Sequence, residues 1–229
     1  MSNPAFLQNT LDFFAKGGVF MGLLLACSFL ALTVILLRAL ALKRRAVIPS
    51  LVEREIHNLK VGESPEHLRR LTQDNDSPLS RIVTVAVRPS NPGKTEALEL
   101  VQSRARQEIM RLESGLFILE IIVGIAPLLG LLGAVSGLVR VFSSIGSGAM
   151  STTDLKGIAS GIGEALSTTI VGLAIAIPAL IAFTYFSRRV ERLALDMEAL
   201  LTDLLEKVFA RKETVGFQEA GAPLEGVTR

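Results

Sequence analysis

The segment GIGEALSTTIVG, Gly161 to Gly172, places a carboxylate, Glu164, and three consecutive hydroxyls, Ser167, Thr168 and Thr169, at the head of one of the most apolar stretches of the chain. An ionisable group inside an apolar helix is costly to keep from water, so by default it marks an ion or proton path. Hydroxyls such as those of Ser160, Ser167, Thr168 and Thr169 can serve that path, or they can simply bond their own helix carbonyls one turn back. Glu164 and Thr168 are four apart and share a helix face, whereas Thr169 lies about 140° round from Glu164. One face therefore cannot present both Glu164 and Thr169 to a common axis.

Little else in the chain points to bond-making chemistry. The single cysteine, Cys27, sits in an apolar run without a nearby histidine, so a packing role is expected. His57 and His67 lie in polar sequence and read as solvated. No catalytic constellation, metal-ligand spacing or cofactor motif stands out, so no enzyme, metal or cofactor is expected. No basic patch is interleaved with aromatics, so nucleic acid is not an expected partner.

The elements that position these residues are set by composition. Of 229 residues 49% are apolar and 20% charged, with net charge +2, a pI near 8.9 and a mean hydropathy of +0.46. Long apolar runs alternating with polar stretches give those values in an integral membrane protein with soluble extensions. Three runs are long enough to cross a bilayer: GGVFMGLLLACSFLALTVILL, IIVGIAPLLGLLGAVSGLV and ALSTTIVGLAIAIPALIAFTYFS. The first ends at Arg38, Lys43, Arg44 and Arg45 without a small-residue cleavage site, so it reads as a retained span.

Orientation follows from Lys and Arg. With three spans, the N-terminus and the 140–156 loop share a side that holds only Lys16, Arg140 and Lys156, and 21 of the 24 basic residues fall on the other. The expected organisation is a periplasmic segment 1–16, a transmembrane helix 17–42 and a cytoplasmic helical region 43–114. A second transmembrane helix 115–141, a periplasmic loop 142–156, a third transmembrane helix 157–187 and a cytoplasmic C-terminal helix and tail 188–229 complete it.

In the polar part, Pro49, Ser64-Pro65, Ser77-Pro78 and Asn91-Pro92 punctuate short helices. From Lys94 a stripe of Leu98, Val101, Ala105, Ile109 and Leu112 predicts a helix running unbroken into the second span. Val190, Leu193, Met197, Leu200, Leu204 and Val208 repeat the spacing after the third. These stripes are expected to pack on each other and on helices from 46–92. From Lys212 the periodicity stops and an irregular tail is expected.

The first span is Leu-rich, as a lipid-facing helix would be. The other two carry Gly133/Gly137, Gly157/Gly161 and Gly172/Ala176 at small-xxx-small spacing, which lets helix backbones approach closely in lipid. Pro127 and Pro178 can bend these helices if neighbours satisfy the freed carbonyls. Glu120 sits at the inner boundary of the second span, where it can snorkel to the interface. The second and third spans are thus expected inside a helix bundle and the first outside it.

IAPLLGLLGAVSGL, followed by GIGEALSTTIVGLAIAIPALIAF, resembles the ExbB/TolQ/MotA family of proton-driven motor subunits, most closely the ExbB and then the TolQ branch. The resemblance covers Leu119 to Phe186 and the flanking helices. It rests on Ile125-Ala126-Pro127, Gly130, Gly133, Gly137, Gly163-Glu164-Ala165-Leu166, Thr169, Gly172 and Ile177-Pro178-Ala179 together. It implies an all-α, three-span, ring-forming homopentamer in the bacterial inner membrane. The pore would hold single-span partners of the ExbD/TolR type, each with a membrane aspartate, and proton flow would energise a TonB-type protein or the Tol–Pal system.

Carried over by residue, the family's buried glutamate falls on Glu164 and its third-helix pore threonine on Thr169. Its second-helix pore threonine falls on Ala134, which has no hydroxyl, and Ser136, two positions on, faces about 200° away. The implied ion path is Thr169, with Ser136, Ala134 and Thr168 beside it. Glu164, Gly133, Gly137, Gly172, Pro127 and Pro178 are assigned to ring packing or gating. A non-conducting membrane scaffold, in which the glycines serve packing only, is the competing reading that Ala134 favours.

Overall fold

A computed structural model describes residues 18–61, 63–88, 93–148 and 154–220. The expected N-terminal segment 1–16, the Asn91-Pro92 turn, residues 149–153 of the expected loop and the final residues 221–229 lie outside these. The described residues are all-α, without a strand. Three helices, within Val19–Ala41, Leu116–Gly146 and Leu155–Ala210, are long and apolar enough to cross a membrane. The chain divides into two compact units: residues up to Arg38 with Gly115–Phe186, and Ala39–Ser114 with Ser187 onward.

In the first unit, helix α1 (Gly18–Ala41) carries a narrow buried seam of Met21, Leu24, Ala31 and Val34, while Phe29, Leu32, Leu36 and Leu37 are exposed. The first span is therefore not uniformly lipid-facing. It docks one heptad-like edge and leaves the rest to an apolar surround.

Helix α7 (Leu116–Gly146) runs through Pro127. It ends where Gly148, at φ +73°, takes the left-handed conformation that favours glycine, its N–H bonding the Ile145 carbonyl. Helix α8 (Leu155–Ala220) starts under an Asp154 cap, whose Oδ1 accepts the Gly157 N–H at 3.0 Å. It runs through Pro178 and on past Lys212, where an irregular tail was expected, because no further proline intervenes before Pro223.

The second unit holds α2 (Arg44–Val47), α3 (Ser50–Asn58), α4 (Glu66–Gln73), α5 (Pro78–Ala86) and α6 (Lys94–Glu113) with the later part of α8. Ser77 caps α5, accepting the Ser80 N–H, and Pro78 occupies its first turn. On α8, Val190, Leu193, Met197, Leu200 and Leu204 are buried as their spacing predicts, and Phe209 is buried in preference to the half-buried Val208. Lys207 threads between helices: its Nζ donates to the Ile56 carbonyl at 3.0 Å and to Asp203 at 2.8 Å, closing the C-terminal end of α3.

Two expectations for α6 are corrected. The helix does not continue into α7, because Ser114 and Gly115 interrupt it. The Ser114 hydroxyl bonds back to the Arg111 carbonyl, and the space a Cβ would take at Gly115 is filled by the Arg38 guanidinium. The buried face is also rotated from the predicted stripe. Ala97, Val101, Glu108 and Leu112 are buried, while Leu98 is exposed and Ala105 and Ile109 are only partly covered.

Glu108 explains the rotation. Its side chain is 0% exposed, yet it accepts from Arg81 at 2.7 Å and from Arg111 at 3.1 Å and pairs with Arg104 at 3.1 Å. Arg81 also reaches Asp76 at 2.9 Å. The hydrogen bond to Glu108 is the main reason that the Arg81 pKa is raised, against the opposing effect of burial. A carboxylate this well paired can occupy a core position that an aliphatic side chain would otherwise fill.

A second ion pair is pH-sensitive. Arg44 bonds both carboxylate oxygens of Glu53, at 2.7 and 2.9 Å, and holds the Glu53 pKa below its ordinary 4.5. A depressed folded-state pKa adds stability above the unfolded value and loses it as pH falls through the folded value. Glu53→Gln should therefore lower the unfolding midpoint by about 1–3 °C at pH 7, since the pair is partly exposed. The gap from wild type should close as pH drops below 4.5. An equal gap at pH 7 and pH 3 in thermal scans would refute this.

Candidate ion-path site

The site is built where α7 and α8 cross. Ala126 lies against Gly172, Gly130 against Thr168, Thr169 and Gly172, Gly133 against Thr168, and Gly137 against Ala165. Numbers rise on one helix as they fall on the other, so the pair is antiparallel. The approach is backbone to backbone: a Cβ at Gly172 would stand 2.6 Å from the Ala126 carbonyl oxygen, and one at Gly130 would stand 2.9 Å from that of Thr168. Small residues permit this contact, which in lipid is held by dispersion and hydrogen bonds. Gly172→Val is expected to destabilise the pair by about 1–3 kcal/mol or more through overpacking. The readout is the unfolding midpoint in detergent, with the exposed Ile170→Val as the neutral comparison; equal midpoints would show that the helices part without cost.

Two hydroxyls meet on one carbonyl here. Thr168 Oγ1 lies 3.0 Å and Thr169 Oγ1 3.2 Å from the Gly130 oxygen, and both donate to it. Thr168 is buried and also lies 2.8 Å from the Ala165 carbonyl, so it is held inside the helix pair. Thr169 is half-buried and keeps its lone pairs free to accept. Ser167 bonds the Glu164 carbonyl at 2.6 Å, the helix-internal use open to any such hydroxyl.

The remaining candidates are placed as follows. Ala134 is buried in the chain and Ser136 is half-buried. Glu164 is exposed on α8 and lines a cleft between α7 and α8 together with Gly133, Gly137, Arg140, Gly161 and Thr168. Pro127 is partly covered, Pro178 exposed, and Glu120 exposed near the start of α7. The outer faces of the pair, Leu128, Leu131, Leu132 and Val135 on α7 and Leu166, Ile170, Leu173 and Ile177 on α8, are exposed and apolar. The structure thus brings Gly130, Thr168 and Thr169 together, and Glu164 lines the cleft on the Thr168 side of α8, about 140° round from Thr169.

Sequence reasoning missed two things. Gly130 was read only as a small residue, although it supplies the carbonyl that orients both threonines; nothing in a glycine's type signals an acceptor role. Arg140 was read only as the end of a span. His57 and His67, read as solvated, are exposed but lie 3.8 Å from Asp203 and 2.7 Å from Glu55. Among the described residues no group of three His, Cys, Asp or Glu could hold a metal ion.

Comparison with known families matches residues 74–199, just over half of the chain, to the MotA/TolQ/ExbB proton channel family. The chain belongs to that family. The chain is 36% identical over 191 residues to a Synechocystis protein named putative biopolymer transport protein ExbB-like 1, covering 79% of this chain and 73% of that protein. To the biopolymer transport protein ExbB of Neisseria meningitidis it is 30% identical over 213 residues, covering 86% and 93%. Within this proton channel family, whose members are transport components, the crossing of α7 and α8 falls wholly inside the matched residues.

Proposed function

We propose that this family member is an ExbB-like motor subunit of the bacterial inner membrane. It would form a homopentamer whose α7 and α8 line a pore around two ExbD-type helices, each bearing an aspartate. The proton motive force, passed through that aspartate, would energise a TonB-type protein for outer-membrane transport. A Tol-linked role would use the same ring with a TolR-type partner. The basic residues favour a periplasmic N-terminus and a cytoplasmic C-terminus.

The observation that carries this reading is the Thr169 hydroxyl. Gly130 fixes its proton, so its lone pairs are left as acceptors on a half-buried hydroxyl. A protonated aspartate on a partner helix can donate to that oxygen and dispense with water within an apolar pore. Thr168, tied down beside it, keeps the two helices in register. Ala134, apolar and buried, supports the scaffold alternative.

Proton flux into vesicles separates the readings. Chain and aspartate-bearing partner reconstituted together should collapse an imposed pH gradient, and the chain alone should not. Absence of flux with the partner present would leave the scaffold.

A further inference from the structure

We propose that Arg140 is the counter-charge of Glu164, and that closing this pair across the α7–α8 cleft shuts the cleft. The inference rests on the channel reading only for its effect on flux. Arg140 lies on α7 and Glu164 on α8, and both line the same cleft. They are isolated charges: Arg140 is the only Asp, Glu, Lys, Arg or His between Glu120 and the end of α7, and Glu164 the only one between Lys156 and Arg188. Neither has an ion-pair partner within 4.0 Å among the described residues.

The other polar groups of the cleft are already committed. The Ser144 hydroxyl donates to the Arg140 carbonyl at 3.0 Å, and Thr168 is spent on Gly130 and Ala165. The nearby Ser167 proton lies on the Glu164 carbonyl, not its carboxylate. Arg140 is therefore the one strong donor within the cleft for the Glu164 carboxylate. Gly133, Gly137, Gly157 and Gly161 add no side chain to the cleft wall, and Val141 and Ala165 add only small apolar ones. Opposite charges that line one cleft within a membrane span are drawn together, because each alone is costly to desolvate. The separated arrangement here is the open form of the pair, and a swing of two long side chains closes it.

The test is a double-mutant cycle on the reconstituted complex: Arg140→Gln, Glu164→Gln, the double variant, and the charge-exchanged Arg140→Glu/Glu164→Arg. Each single change should alter proton flux by at least about threefold, the double variant should do no more than the larger single, and the exchange should return flux to within about twofold of wild type. Multiplying single effects, an inert Arg140→Gln, or an exchange as defective as the worst single would overturn the pair. If the wild-type complex conducts nothing, the channel reading fails, but the pair is still tested by unfolding midpoints in detergent. Non-additive midpoint shifts with recovery on exchange support it, and additive shifts overturn it.

Discussion

On the proposed channel reading, Thr169→Val should cut proton flux and energy-dependent uptake about 5-fold or more while the protein still assembles with its partner. Valine matches threonine in shape, so the Gly130–Gly172 approach is undisturbed, and Thr168 keeps its bond to the Gly130 carbonyl. What is lost is the acceptor and the Thr169 bond to the Gly130 carbonyl, an oxygen that Thr168 still meets. A carboxyl that must cross an apolar pore without a partner meets an extra barrier of about 1–3 kcal/mol. That corresponds to a fall in rate of about 5- to 150-fold. Thr169→Ser keeps the hydroxyl and should retain most of the flux. An assembled Thr169→Val protein with full activity would remove Thr169 from the ion path.

Glu108→Ala should be the most destabilising single change in the second unit. It leaves Arg81, Arg104 and Arg111 facing one another around an emptied site. Arg111 is 61% exposed and can turn to water, but Arg81 is held more tightly, and its Nε is already buried without a hydrogen-bond partner. Removing one member of a buried ion cluster costs about 3–5 kcal/mol. For a chain of this size that is a fall in unfolding midpoint of about 6–20 °C. Glu108→Gln keeps the shape and should lose less. A midpoint for Glu108→Ala within 2 °C or so of wild type would mean that the cluster is held from elsewhere.

The helical class and three spans were legible because each rests on a long, repeated signal. The 21 uncharged residues before Arg38 fix the first span regardless of detail, and the α8 stripe from Val190 to Leu204 is buried as its spacing predicts. The α6 stripe was misread for a physical reason. Hydrophobic periodicity treats glutamate as a surface residue, whereas Glu108 is internal because arginines from α5 and from its own helix neutralise it. The break at Ser114–Gly115 was hidden for another reason, since both residues keep right-handed helical dihedrals and nothing in their types stops a helix. At the site, the separation of Glu164 from Thr169 followed from helix geometry alone. The convergence of two hydroxyls on Gly130 did not, because it depends on which residues of two distant segments meet.

The α7–α8 crossing contains almost no rotamers. Glycine and alanine lose no side-chain entropy on docking, so Gly130, Gly133, Gly137, Ala165 and Gly172 come together without the ordering cost that a leucine seam carries. For the same reason nothing at the crossing can flex to absorb a displacement. Sliding one helix along the other would drive Cα and carbonyl atoms into contact within an ångström or so. The pair is thus stiff in shear and carries little side-chain friction.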